Sequence, residues 1–371
     1  MNFGLTDEQQ ILANVARRFA DERAPISKVR DVMESANGFD PGLWSAMAEL
    51  GWLGLTIGED YGGAGLDWVD LAVLLEETGR GLLPSPLVSH SLAATAISEF
   101  GNDDQKRRFL PSLADGSAIG AVAILEAGEV LGPGGIELAG APDGGGYKLT
   151  GSKSFVQDVG VATTFVVAFR APDGVRLGIV KAGAPGVEAR GYMTMDQTKR
   201  MGDLVLDGAV VTAEDVLAAA DADAALSRIL DLGAVAVTAE SVGAMARAHE
   251  ITTQYAKDRM QFGAPIGKYQ GVKHPLAEMH VDIETGRSLV YYAAWCVSES
   301  PQELPLASAR AKAYVGEAFK RLGVDVVQLH GAVGFTWEYD IQLYLKRSKW
   351  AFPAYGDPDY HYERVAALGG Y

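Results

Sequence analysis

Two stretches of this chain combine residue types and spacings that suit an anionic ligand. The first is residues 255–279, YAKDRMQFGAPIGKYQGVKHPLAEM, where Arg259 precedes the aromatic-glycine pair Phe262-Gly263, a proline turn at Pro265 and then Tyr269-Gln270. A guanidinium beside a backbone turn matches phosphate or diphosphate oxygens, because its planar fork donates two parallel hydrogen bonds. An isolated arginine at a helix end more often pairs with a carboxylate, so the length and mixture of the run carry the weight. The second stretch is residues 328–349, QLHGAVGFTWEYDIQLYLKRSK. There Gly331 and Gly334 allow a turn to approach an anion closely at a helix end, and Gln328 offers both a donor and an acceptor.

Other chemistries are poorly supplied. Ala239-Glu240-Ser241-Val242-Gly243 lacks the first glycine of a nucleophile elbow and falls in a helical pattern. Gly132-Pro133-Gly134 lacks the third glycine of a dinucleotide fingerprint and no βαβ unit surrounds it. His274 and His280 miss the i, i+4 spacing of a helical zinc site, and no metal site is expected. The single cysteine, Cys296, rules out an internal disulfide and fits a reducing compartment. A formal net charge of −16 argues against nucleic acid and anionic membranes as partners, so an anionic ligand must be held by local positive charge. The polar start MNFGLTDEQQ does not read as a secretory signal, and no apolar run approaches the roughly 20 residues that span a bilayer. A soluble, cytoplasmic protein is the expectation.

At 371 residues, with 48% apolar and 22% charged, the chain should form two or three domains with ample core. The expected fold class is α+β multidomain, with an N-terminal all-α domain (1–118), a middle antiparallel β domain (119–217) and a C-terminal four-helix bundle (218–371). In the first, Thr6 and Gln9 fit a capping box, with Leu12, Val15 and Phe19 following at helical spacing. In the second, short β-branched runs over residues 147–150, 163–169, 175–180 and 204–211 are separated by Asp143-Gly144, Asp173-Gly174 and other turn residues, as in a barrel or sandwich. In the third, Ala311, Val315, Ala318, Leu322, Val326 and Leu329 form one stripe of a long helix, as paired bundle helices require.

The run at 255–279 resembles the R-x-x-F-G-x-x-I-x-x-(aromatic)-Q…L-A-(D/E)-M signature of acyl-CoA dehydrogenases, and residues 328–339 resemble that family's Q-x-x-G-G-x-G-(F/Y)-x-x-E-(F/Y) segment. Similarity extends to LTDEQQ, ELGWLGL, EDYGGAG and LEETGRGLLPSPL, and so covers essentially the whole chain. Ala332 replaces one usual glycine, and Gly58-Glu59-Asp60 lacks the usual proline before two acids. The resemblance implies FAD as cofactor, its adenine and diphosphate held across a subunit interface by Arg259, Phe262, Gln270, Gln328, Gly331 and Gly334. It also implies flavin contacts in the β domain at Leu125, Phe155 and Gln157, the last replacing a usual Thr or Ser. The implied reaction is α,β-dehydrogenation of an acyl-CoA thioester: a carboxylate removes the α-proton, a hydride passes to the flavin and electrons leave through an electron-transfer flavoprotein. A homodimer, a homotetramer or a heterotetramer with a related subunit is implied as the assembly.

The base is the difficulty. An α-proton beside a thioester is weakly acidic, so a desolvated carboxylate is needed, with donors for the enolate oxygen. Counting from Gln328, the position of the family's usual glutamate falls on Tyr355, followed by a matching Gly356 in AYGDPDYHYERV. Counting back from Arg364 instead gives Asp357, with Asp359 second, while the alternative site on an earlier helix is Gly233. Asp-Pro also commonly opens a turn. A non-catalytic subunit completing a partner's sites, and a flavin oxidase on the same fold, are therefore the competing expectations.

Overall fold

The computed structural model describes residues 4–371; residues 1–3, the start of the polar N-terminal stretch, lie outside the described residues. Helices come first: α1 (Asp7–Arg23), α2 (Ile26–Glu34), α3 (Pro41–Glu49), α4 (Trp68–Arg80), α5 (Leu87–Phe100) and α6 (Asp103–Ala114). Strands follow: β1 (Gly120–Ala123), β2 (Ala139–Asp143), β3 (Gly146–Gln157), β4 (Thr164–Ala171), β5 (Gly174–Lys181), β6 (Val187–Tyr192) and β7 (Met201–Val211). Then come α7 (Ala222–Asp258), a small hairpin of β8 (Met260–Gln261) and β9 (Ala264–Pro265), α8 (Gln270–Glu299), α9 (Leu304–His330), α10 (Ile341–Ala351) and α11 (Pro358–Gly369).

Local chemistry sets several of these starts. The expected capping box at Thr6 and Gln9 is formed, and Asn102 with Gln105 forms a second one at α6. At α3, Asp40 accepts from the Gly42 and Leu43 amides ahead of a proline in the first turn.

The chain divides into two compact units. The helical unit comprises Trp68–Leu83, Ala234–Tyr371 and the chain up to Asp31. Its core is made by Leu71, Leu74 and Leu75 of α4, Val242 and Met245 of α7, Ile283 and Val290 of α8, and Val315, Phe319 and Leu322 of α9. Helices α4 and α7 cross where both lack side chains: a Cβ on Gly243 would lie 1.8 Å from the Glu76 carbonyl oxygen, and one on Gly79 2.1 Å from that of Glu240. Glu76 accepts from Arg287 Nε at 2.9 Å and from Tyr291 at 3.0 Å, which ties α4 to α8. Among the described residues one helix, α7, is long and apolar enough to cross a bilayer. Its apolar window is 94% buried, as a core helix requires.

The second unit comprises Val32–Asp67 and Pro84–Gly233. Its seven-stranded sheet runs β1-β4-β2-β3-β7-β6, with β5 also on β4. Pairing is antiparallel at β2–β3, β3–β7, β4–β5 and β6–β7, while β1 runs parallel to β4 and a single parallel pair joins β2 to it. Burial on both sides accounts for the unbroken apolar run of β4, whose Phe165, Val166, Val167, Ala168 and Phe169 are all buried.

Candidate flavin-binding site

In the helical unit the two sequence-predicted turns converge. Tyr255, one helical turn before Arg259, stacks on His330, two residues after Gln328, with ring centroids 4.4 Å apart. Tyr255 also donates to the His330 carbonyl at 3.4 Å, and Tyr339 lies 5.0 Å from the His330 ring. His330 Nδ1 sits 2.7 Å from the Val326 carbonyl, which can only accept, so Nδ1 carries the proton. Burial holds this imidazole below its usual pKa, in keeping with a neutral ring in an aromatic stack.

The backbone around Arg259 is fixed while its side chain is free. The Arg259 amide donates to Tyr255 O and its carbonyl accepts from Ile266, both at 2.8 Å. Phe262 and Gly263 form the two-residue tip of the β8–β9 hairpin, with φ of 51° and 75°. Two consecutive positive φ angles are what a tight hairpin turn demands, and glycine meets that at little cost. The side chains of Arg259, Gln270 and Gln328 are exposed, and none has a hydrogen bond or ion pair among the described residues. No side chain caps the first turn of α8, where Gln270 sits, so that positive helix end is also open to an anion.

The two glycines of the second turn differ. Gly331 closes α9 at φ 65°, with open space around its would-be Cβ. Gly334 is buried, and a Cβ there would sit 2.8 Å from Val327 O. Gly331 is thus open to a ligand, whereas Gly334 serves packing of the turn against its own helix. Free donors, an uncapped helix start and an open glycine turn fit a dinucleotide diphosphate. Of the rings in these turns, Phe262 is 92% exposed and Phe335 75%.

In the sheet unit, Leu125 follows β1 and its carbonyl accepts from Ser154 at 2.8 Å. Lys153 is fully buried, donating to Ile124 O at 2.9 Å and Glu126 Oε1 at 2.5 Å. Burial draws this ammonium down to about 8, with Glu126 opposing the fall. Glu126 accepts two further amides, Glu137 and Leu138, each at 3.0 Å. This knot fixes the β1 end against β3 just before Phe155 and Gln157. Phe155 has φ 56° and an exposed ring, and Gln157 is half-buried at the end of β3.

The segment that should carry a base is fastened from below. Lys312 of α9 is fully buried and donates to the carbonyls of Ala351, at 3.0 Å, and Phe352, at 2.8 Å. Burial pulls its ammonium down to about 7, partly opposed by Asp357. His361 is also buried; its Nε2 lies 2.9 Å from the Tyr355 carbonyl and so carries the proton, leaving Nδ1 without a hydrogen-bond partner. Burial drives this imidazole down to about 3. Tyr355 has φ 56°. Asp357 is the N-cap of α11, its Oδ1 accepting from Tyr360 N at 2.8 Å, as Asp-Pro suggests. Asp359 is exposed in the first turn of the same helix.

Sequence reasoning missed Lys312, His361, Tyr192 and the Tyr255–His330 stack. The signal for Lys312 was present: it follows Ser308 by four residues and precedes Gly316 by four, on one face of a helix otherwise rich in alanine and valine. A Cβ on Gly316 would lie 3.0 Å from Pro358, so that face must admit the α11 start closely.

Residues 6–117 match the model of the acyl-CoA dehydrogenase N-terminal domain, and residues 222–368 that of the acyl-CoA dehydrogenase C-terminal domain. The acyl-CoA dehydrogenase IpdE2 of Mycolicibacterium smegmatis is 31% identical over 364 residues, 98% of this chain and 99% of that protein. A Tcur3481–Tcur3483 steroid ACAD structure superposes with a TM-score of 0.90 at 33% identity, covering 98% of each chain. The ChsE4–ChsE5 complex from Mycobacterium tuberculosis gives 0.92 at 28% identity, over 100% of this chain and 99% of that one. The chain belongs to the acyl-CoA dehydrogenase family, an oxidoreductase family, and FAD is its cofactor.

Proposed function

We propose that this protein takes part in FAD-dependent α,β-dehydrogenation of an acyl-CoA thioester, with electrons passed on to an electron-transfer flavoprotein. The observation that carries this is the meeting of the Arg259 and Gln328 turns through the Tyr255–His330 stack, with their donors unspent. When bound, FAD supplies the two-electron oxidising power. Arg259 would hold and neutralise the diphosphate, Gln270 and Gln328 would donate to polar groups of the cofactor, and the exposed Phe262 would supply apolar cover. Leu125, Phe155 and Gln157 would face the flavin, Gln157 keeping a donor in place of the more usual hydroxyl.

For proton removal, Asp357 is the sequence-predicted base. Its carboxylate already caps α11, which favours a second reading: this chain completes the flavin site while a related subunit supplies the carboxylate. Two of the similar structures bear names joining two gene products, which supports a heteromer. The steroid ACAD among them supports a bulky, ring-bearing acyl group. Purified protein should carry flavin absorbance, or acquire it when FAD is added; a protein that never does so defeats the proposal. Dye reduction by the isolated chain with any acyl-CoA, abolished by Asp357→Asn, selects the first reading. Reduction only after a related subunit is co-expressed selects the second.

A further inference from the structure

Phe155 is held in a conformation that its own burial does not justify. Inside β3, where the ladder to β7 shifts register between Lys153 and Val156, its φ is 56°. For a bulky aromatic that left-handed angle is unfavourable, and such strain persists where the surroundings impose it. The ring is 40% exposed, so packing within the sheet unit returns little.

The neighbours on either side are fixed independently. Ser154 N donates to Leu125 O at 2.8 Å, and Asp158 N to Arg200 O at 2.9 Å. The amide of Phe155 itself goes to the hydroxyl of Tyr192, at the end of β6, at 3.0 Å. The two rings meet edge to face, with centroids 6.3 Å apart and planes at 82°. Burial, together with nearby Asp203, raises the Tyr192 hydroxyl, so it stays protonated while accepting from the amide. One side chain therefore satisfies the strained amide and braces the ring.

We propose that Tyr192 is a positioning residue that sets the Phe155 ring against a flat aromatic ligand at this end of β3. This rests on the reading above, under which that ligand is the isoalloxazine ring of FAD. The test compares Tyr192→Phe, Phe155→Leu and the double variant, each loaded with FAD to equal content, by visible circular dichroism and absorbance of the bound flavin. Phe155→Leu is expected to alter the flavin bands. Tyr192→Phe should reproduce a large part of that change, and the double variant should add nothing to Phe155→Leu. Flavin bands that Phe155→Leu alters but Tyr192→Phe leaves untouched overturn the positioning role. Additive changes in the double variant overturn it too, because Tyr192 would then act independently of Phe155. If Phe155→Leu is silent, the flavin does not face this ring, and it is the underlying placement that fails. Should Tyr192→Phe not retain FAD, the amide exchange of residue 155 in the apo protein decides, expected about tenfold faster for one lost hydrogen bond.

Discussion

Two parts of the helical unit make a useful contrast: the turns that converge through Tyr255 and His330, and the segment 351–361 that should hold a base. In the first, the backbone is pinned and the side chains of Arg259, Gln270 and Gln328 are left without polar partners among the described residues, as a preformed ligand site requires. In the second the polar groups are turned inward: Lys312 holds two carbonyls, His361 holds a third and Asp357 caps a helix. Three of the residues with positive φ are aromatic, Phe155, Phe262 and Tyr355, and each lies in a segment singled out from sequence. Strain alone does not separate a binding segment from a structural one; what the neighbouring donors and acceptors are already doing does.

The largest test of this contrast is Lys312→Met. It leaves two buried carbonyls without a donor, and the expected loss of stability is about 2–4 kcal/mol, read by chemical denaturation. The pH dependence sharpens it. With the folded ammonium near 7 against a usual 10.5, the unfolded chain holds a proton that the folded one lacks between those values. Lys312 therefore makes stability rise with pH from about 7 to 10.5, and the variant should lose that component of the slope. A variant as stable as the parent, with the same slope, would remove the distinction between the two parts.

Arg259→Ala should act oppositely, leaving stability near that of the parent while weakening FAD binding by about 2 kcal/mol, roughly 30-fold, in a titration of the apo protein. If it lowers stability by as much as Lys312→Met while the folded protein binds FAD as before, Arg259 belongs with Lys312. Asp357→Ala is expected to cost about 1 kcal/mol of stability through the lost cap, without change in FAD affinity. A loss of flavin reduction far beyond that stability effect would move Asp357 to the chemical side of the contrast. Smallest is Gln328→Ala, expected to weaken FAD binding by about 0.5–1 kcal/mol with unchanged stability, measured by the same titration.

The amino-acid sequence alone determined the succession of helix, strand and helix, the Thr6 capping box, the apolar stripe of α9 and the two anion-suited turns. These are readable because periodicity, capping and turn chemistry act over a few neighbouring residues. It also marked Tyr355 and Asp357 as the places to look for a base, but not what they do. The stacking of Tyr255 on His330, the parallel pairing of β1 with β4, the inward use of Lys312 and His361, and the brace from Tyr192 to Phe155 were decided by tertiary structure. Each joins residues distant in the chain, and whether a polar group is spent on the fold or left for a ligand depends on which partners burial brings within hydrogen-bonding reach.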